Sequence, residues 1–267
     1  MTQDPGMTLP EARLLAAGEP PPVIQRPAVT RTPFVIACDH AGRSIPAALG
    51  TLGLPPHELD RHIAWDIGGA PLAGQLAEAF GAPLVMQAYS RLVIDCNRPL
   101  GHPTSIPVTS ERTDIPGNQA VSPAEAAARA REIFAPYHAA LTALLDARAA
   151  AGTPSVLIAV HSFTPVYMGV ARPWHVGILH HLEQRLAGIM LDLLRAEGDL
   201  VVGDNEPYVL TSTSDYTVPH HAEARGLPYL ELEIRQDLIA QAAGQRAWAA
   251  RLARLLPLAW QRYGQHV

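Results

Sequence analysis

Several apolar runs in this chain stop on side chains that a hydrophobic core does not accept alone. Val35-Ile-Ala-Cys-Asp-His40 and Val160-His161-Ser162 each reach an imidazole. Leu232-Glu233-Ile-Arg235 carries a carboxylate and a guanidinium, and Tyr89-Ser-Arg-Leu-Val-Ile-Asp-Cys-Asn-Arg98 is charged toward both ends. Continuous Val/Ile/Leu runs suit strands buried on both faces of a sheet. Ligands in open α/β sheets bind outside the carboxyl ends of the strands, and these polar groups gather there.

The rest of the chain fits that frame. Strands are expected at Phe34–Cys38, Leu84–Ala88, Leu92–Cys96, Ser155–Val160, Val176–Leu179, Leu200–Val202 and Tyr229–Ile234. Helices are expected between them. Gly69–Phe80 stops at Gly81. Pro123–Ala151 opens on the capping box Ser122-Pro-Ala-Glu125 and should kink at Pro136. Leu182–Glu197 and a C-terminal helix over Ala242–Tyr263 complete the set. This alternation predicts a three-layer αβα sandwich. Residues 1–30 are Pro-rich and read as an arm on the surface, with a short helix around Glu11–Ala17. Residues 31–267 read as one domain. The long aperiodic segment Pro99–Val121 and the irregular stretch Thr164–Pro173 leave from carboxyl ends, where functional loops belong.

Composition narrows the chemistry. The 267 residues hold 20 basic side chains, every one of them arginine. With no lysine there is no Schiff-base lysine, no pyridoxal anchor and no P-loop lysine. The net charge of −5 with scattered basic residues argues against a nucleic-acid partner. Cys38 and Cys96 lie in apolar runs and read as inert core thiols. Neither a signal segment nor a membrane-length apolar run is visible, so the expectation is a soluble cytoplasmic protein.

Imidazole and carboxylate are the ligands zinc takes when one position stays open for water or substrate. His40 and His161 are the candidate imidazoles. Asp66, just before the Gly69–Phe80 helix, is the chosen third ligand. Asp39 is the runner-up, since alternation within a strand would turn it away from His40. Manganese, iron or cobalt suits the same shell. Glu233 faces away from Leu232 and Ile234, and a carboxylate ending an apolar strand should have a raised pKa, which suits a general base; Glu231 shares its face two residues earlier. Arg91 is placed to polarise a carbonyl or to pair with Asp95. Asn97 and Arg98 offer an amide and a fork to a substrate carboxylate. Arg172 and Tyr208 are further candidates for contact with a small-molecule substrate.

These residues bring a family into view. Asp39-His-Ala-Gly42 with Ile45-Pro46, Trp65-Asp66-Ile-Gly68, Ser90 to Arg98, Ile115-Pro-Gly-Asn118, Val160-His-Ser162 and Gly203-Asp-Asn-Glu-Pro-Tyr208 occur in an order and spacing that resembles the N-formylglutamate amidohydrolases, over nearly the whole chain after residue 33. The resemblance implies hydrolysis of N-formyl-L-glutamate to formate and L-glutamate, a late step of histidine breakdown. More distantly the chain is similar to zinc carboxypeptidases and aspartoacylases. That likeness implies a mixed, largely parallel sheet. It also implies His40 and His161 as zinc ligands, Arg91 as the carbonyl-polarising arginine, Asn97 and Arg98 as the carboxylate grip, and Glu233 as the catalytic glutamate. One position departs: those relatives carry a glutamate ligand three residues after the first histidine, where this chain has Arg43. The alternatives are therefore a carboxypeptidase or deacylase for another acyl group, and a carboxylate-binding relative that has lost its metal.

Overall fold

Along Phe34–Cys38 residues of both parities are buried. Phe34, Ile36 and Cys38 enter one core, Val35 and Ala37 another. The sheet thus has two covered faces. The computed structural model describes residues 13–265, with strands β1 Val23–Arg26, β2 Phe34–Cys38, β3 Leu84–Gln87, β4 Val156–Phe163, β5 Val176–Leu179, β6 Val202–Asp204 and β7 Tyr229–Arg235. They form one sheet in the order β1-β3-β2-β4-β7-β5-β6. β3, β2, β4 and β7 run parallel, while β1 and the β5–β6 pair run against their neighbours. The architecture is a mixed, mostly parallel sheet between two helical layers, as the sequence predicted.

Helices α1 Gly69–Phe80, α4 Arg185–Arg195 and α6 Ala242–Gly264 cover the first core, using Leu72, Leu76, Leu186, Met190, Leu252 and Leu256. On the opposite face lie α2 Pro123–Arg129, α3 Ala135–Ala150 and the short α5 Thr217–His221. The Ser122 hydroxyl caps α2 by accepting from Glu125 N at 3.1 Å. Between α2 and α3 the backbone opens into a π turn over Ala130–Phe134, which absorbs the missing N–H of Pro136. No helix among the described residues is long and apolar enough to cross a membrane.

Three expectations change. Leu92–Cys96 is not a strand. Its apolar residues are buried, but Val93 N bonds to Ser90 O, Asp95 N to Ser105 O and Arg98 N to Asp95 O, so the segment is a packed loop whose backbone is satisfied by turns and by the loop that follows. Within the expected surface arm, Val23–Arg26 pairs with β3 as the sheet's edge strand. The short helix around Glu11–Ala17 begins outside the described residues, and from Arg13 the chain makes turns, with Leu14 buried and its N–H held by Glu132.

Candidate active site

β2 stops at Cys38, so the pleat no longer governs the next two residues, and Asp39 and His40 both turn into the second face of the sheet. In β4 and β7 that face carries His161, Glu231 and Glu233, with Glu233 directly across from His161 in register. The imidazoles of His40 and His161 meet edge to face, their centroids 5.0 Å apart. Asp39, His40 and His161 each contribute one ligand atom to a group that spans no more than 4.8 Å. Asp39 Oδ1 lies 3.4 Å from His161 Nε2 and 3.6 Å from His40 Nδ1. Asp39 Oδ1 and His161 Nε2 are buried without a hydrogen-bond partner.

The outer nitrogens of both rings are spoken for. Asp95 Oδ1 takes His40 Nε2 at 2.7 Å, and Asp66 Oδ2 takes His161 Nδ1 at 3.0 Å while also accepting from Ser162 N at 3.1 Å. Carboxylates in these places fix the tautomers that leave His40 Nδ1 and His161 Nε2 facing inward, the arrangement that metal-binding histidines use. Two inward nitrogens plus an orphaned carboxylate oxygen suit a divalent cation. Asp66, expected as the third ligand, faces the outer nitrogen of His161, and its Oδ1 stands 3.6 Å from His40 Nδ1. Asp39 makes up the compact group instead, and its other oxygen is held by the Thr217 hydroxyl at 2.6 Å. Thr217 lies 178 residues away in the chain, and no local pattern announces it.

The charge around the rings is dense. At His40, burial and Arg91 disfavour the imidazolium, yet Asp95, Asp39 and Asp66 together push its pKa up to about 9. Burial raises Glu231 to about 8 and lifts Glu233 well above the usual carboxylate range. Each has one carboxyl oxygen without a partner.

His40, Asp66, His161, Glu231 and Glu233 floor a cavity of about 330 Å³, at the small end of the range for small-molecule sites. Arg91, Asn97, Arg98, Asp215, Tyr167 and Tyr208 are among its walls. Arg91 Nη2 donates to Asp95 Oδ2 at 2.7 Å, so its expected salt bridge and its place in the cavity coexist. The Asn97 side-chain oxygen accepts from Tyr216 N and Thr217 N, leaving the NH2 end for the cavity. Arg98 pairs with Asp215 at 3.2 Å. Arg172 stands behind Tyr208, not in the cavity wall, and donates to its hydroxyl at 2.9 Å. Arg43 points away, pairing with Asp60 and lying over Trp65. The long loop reaches the cavity through Ser110, and Asn118 anchors it by donating to Leu92 O and Pro107 O.

A sequence model of the N-formylglutamate amidohydrolases matches residues 32–240, most of the chain and all of this site. The chain belongs to that family. As an N-formylglutamate amidohydrolase family member it is a hydrolase. A gene product of Agrobacterium tumefaciens has a solved structure with 40% sequence identity and a TM-score of 0.91, the match covering 94% of this chain and 100% of that one. The N-formylglutamate amidohydrolase of Ralstonia eutropha JMP134 shares the fold at 21% identity and a TM-score of 0.63, over 91% of this chain and 99% of that one. No curated protein matches by sequence.

Proposed function

We propose that this family member hydrolyses the amide of an N-acylated acidic amino acid with the aid of a divalent metal, zinc first among the candidates. N-formyl-L-glutamate is the proposed substrate, giving formate and L-glutamate. The observation that carries this reading is the inward meeting of Asp39 Oδ1 and His161 Nε2, both orphaned, beside His40 Nδ1. His40, His161 and Asp39 would hold the cation, with Asp66 and Asp95 orienting the rings. The cation supplies Lewis acidity, which acidifies water and polarises a carbonyl.

The chain's own groups do the remainder. Glu233, across from His161, takes a proton from the attacking water and returns it to the departing amine, a task suited to a carboxyl whose pKa burial has lifted toward neutrality. Arg91, held by Asp95, meets the charge that develops on the formyl oxygen. Asn97 and Arg98 grip a carboxylate of the substrate and set the reacting carbon in place. The departure at Arg43 is harmless here because Asp39 offers the carboxylate.

Purified protein assayed against formyl-, acetyl- and succinyl-glutamate and a dipeptide panel tests the reading, alongside metal analysis. Hydrolysis of formyl-glutamate above the others, lost on chelation and regained with zinc, is the expected result. No stoichiometric metal after metal-replete expression, with no effect of chelator, would overturn it.

A further inference from the structure

Leu92 and Val93 are fully buried, and they lie in a loop, so no strand ladder receives their carbonyls. Two side chains do so instead. Asn118 Nδ2 donates to Leu92 O at 2.8 Å, and Arg129 Nη1 donates to Val93 O at 2.9 Å. The same Nη1 meets Asn118 Oδ1 at 2.7 Å, while Nη2 reaches Glu125 Oε1 at 2.6 Å. A guanidinium only donates, so the amide oxygen of Asn118 has to face it. That turns the NH2 group toward Leu92 O and Pro107 O. Arg129, at the end of α2, is wholly buried, and its Nε has no partner. Burying a charge is costly, and a hydrophobic side chain of similar volume often serves stability as well or better. Stability alone gives a poor account of this arginine.

What hangs on the two carbonyls is the site. Arg91 immediately precedes Leu92. Asp95, which orients His40 and holds Arg91, comes two residues after Val93, and Asn97 and Arg98 follow. We infer that Arg129, acting through Val93 O and Asn118, is a positioning residue that sets where the loop over residues 91–98 stands against the cavity. This rests on the proposed roles of the loop residues and adds to them a group outside the cavity. One guanidinium then governs two separate properties: the hold on the metal, through Asp95 and His40, and the hold on the substrate carboxylate, through Asn97 and Arg98.

The test compares wild type with Arg129→Met, Arg129→Lys and Asn118→Asp, and uses Leu252→Ala in the core on the opposite face of the sheet as a control for lost stability. Each protein is held well below its own melting temperature. Zinc affinity is read by competition with a chromophoric chelator, L-glutamate affinity by calorimetry, and turnover on N-formyl-L-glutamate. Arg129→Met should lose roughly 10-fold in both affinities together, and roughly 10- to 100-fold in kcat/KM. Arg129→Lys, whose single ammonium cannot hold Val93 O and Asn118 as the fork does, should recover part of each. Asn118→Asp keeps an oxygen for Arg129 but no donor for Leu92 O, and should show the same paired loss if Arg129→Met does not fold. Leu252→Ala should melt lower with both affinities unchanged. Unchanged affinities in Arg129→Met or Asn118→Asp, whatever their melting temperatures, overturn the inference, as does an equal paired loss in Leu252→Ala. A wild type that binds zinc and glutamate but hydrolyses no N-acyl amino acid overturns the proposed reaction, and the two affinities still decide the role of Arg129.

Discussion

His161 Nε2 and Asp39 Oδ1 face each other across 3.4 Å, both buried and neither hydrogen-bonded. Orphaned atoms of this kind cost stability unless a proton or a cation joins them. Asp39→Asn should therefore abolish tight metal binding, whereas Asp66→Asn and Asp95→Asn, which take away the carboxylates on the outer ring nitrogens, should weaken it roughly 10- to 100-fold. Competition with a chromophoric chelator reads all three. A wild-type affinity in Asp39→Asn together with complete loss in Asp66→Asn would reverse the two assignments.

Thr217 makes a related prediction. Its hydroxyl holds the second oxygen of Asp39 at 2.6 Å, and its N–H is accepted by Asn97. Thr217→Val keeps the shape and the N–H but removes the hydroxyl. Metal affinity should fall while the KM that reports Asn97 stays within about threefold, since an amide contact left intact keeps its contribution. Equal damage to both would mean that the helix start, not the hydroxyl, was disturbed.

Glu233→Gln should lower kcat by roughly 10²- to 10⁴-fold, the usual worth of a positioned general base, with KM nearly unchanged. Glu231 sits two residues earlier on the same face, also buried and partly unpartnered, but Glu233 is the one in register with His161. Steady-state kinetics of Glu231→Gln should therefore show the smaller loss in kcat. The opposite ranking would move the base to Glu231.

Gly177 in β5 lies beside Glu233 in the sheet, and a Cβ there would fall on the Glu206 carbonyl oxygen. Gly177→Ala must push back the loop that carries Tyr208. Overpacking of this kind costs roughly 1–3 kcal/mol, and a raised KM should accompany the lower urea midpoint. A stability loss with unchanged KM would mean that the loop absorbs the shift without moving the cavity wall.

Away from the reacting groups, His138 Nδ1 and His221 Nε2 are 2.9 Å apart, and His138 Nε2 donates to Cys96 O. Burial pushes His138 down to about 4 and His221 down to about 2. Both are neutral in the fold at neutral pH, and the unfolded chain titrates near 6.5. Below that pH unfolding takes up protons, so their contribution is whole above about 6.5 and is lost as pH falls toward 4. The stability difference between wild type and His138→Gln, measured by urea melts, should be greatest near pH 7.5 and shrink by pH 5. A difference that grows on acidification would contradict the buried neutral pair.

The sheet was legible because strands covered on both faces need unbroken apolar runs, and Phe34–Cys38 or Tyr229–Ile234 can be little else. The same rule misread Leu92–Cys96, since a buried loop is as apolar as a strand and differs only in where its N–H groups go. Val23–Arg26 was hidden because an edge strand, mostly exposed, shows no such run. His40, His161 and Glu233 stood out as polar groups ending apolar segments. Asp39 was ranked second to Asp66 because the alternation of a strand was extended past Cys38, where β2 ends. Thr217, His138 and His221 act across long sequence separations through single hydrogen bonds, which leave no periodic trace.

The mouth differs in kind from the floor. Ser110 belongs to a small hairpin of Thr109–Ser110 with Thr113–Asp114, Tyr167 to another of Val166–Tyr167 with Val170–Ala171, and Tyr208 to an exposed loop; the hairpins are tied by Arg112 donating to Met168 O at 3.3 Å. None of these segments is part of the sheet that carries His161 and Glu233. On the proposed reading appetite and reactivity rest on separate parts of the chain, and exchanging Val166–Ala171 between two such enzymes should alter what enters while leaving the groups on the sheet in place.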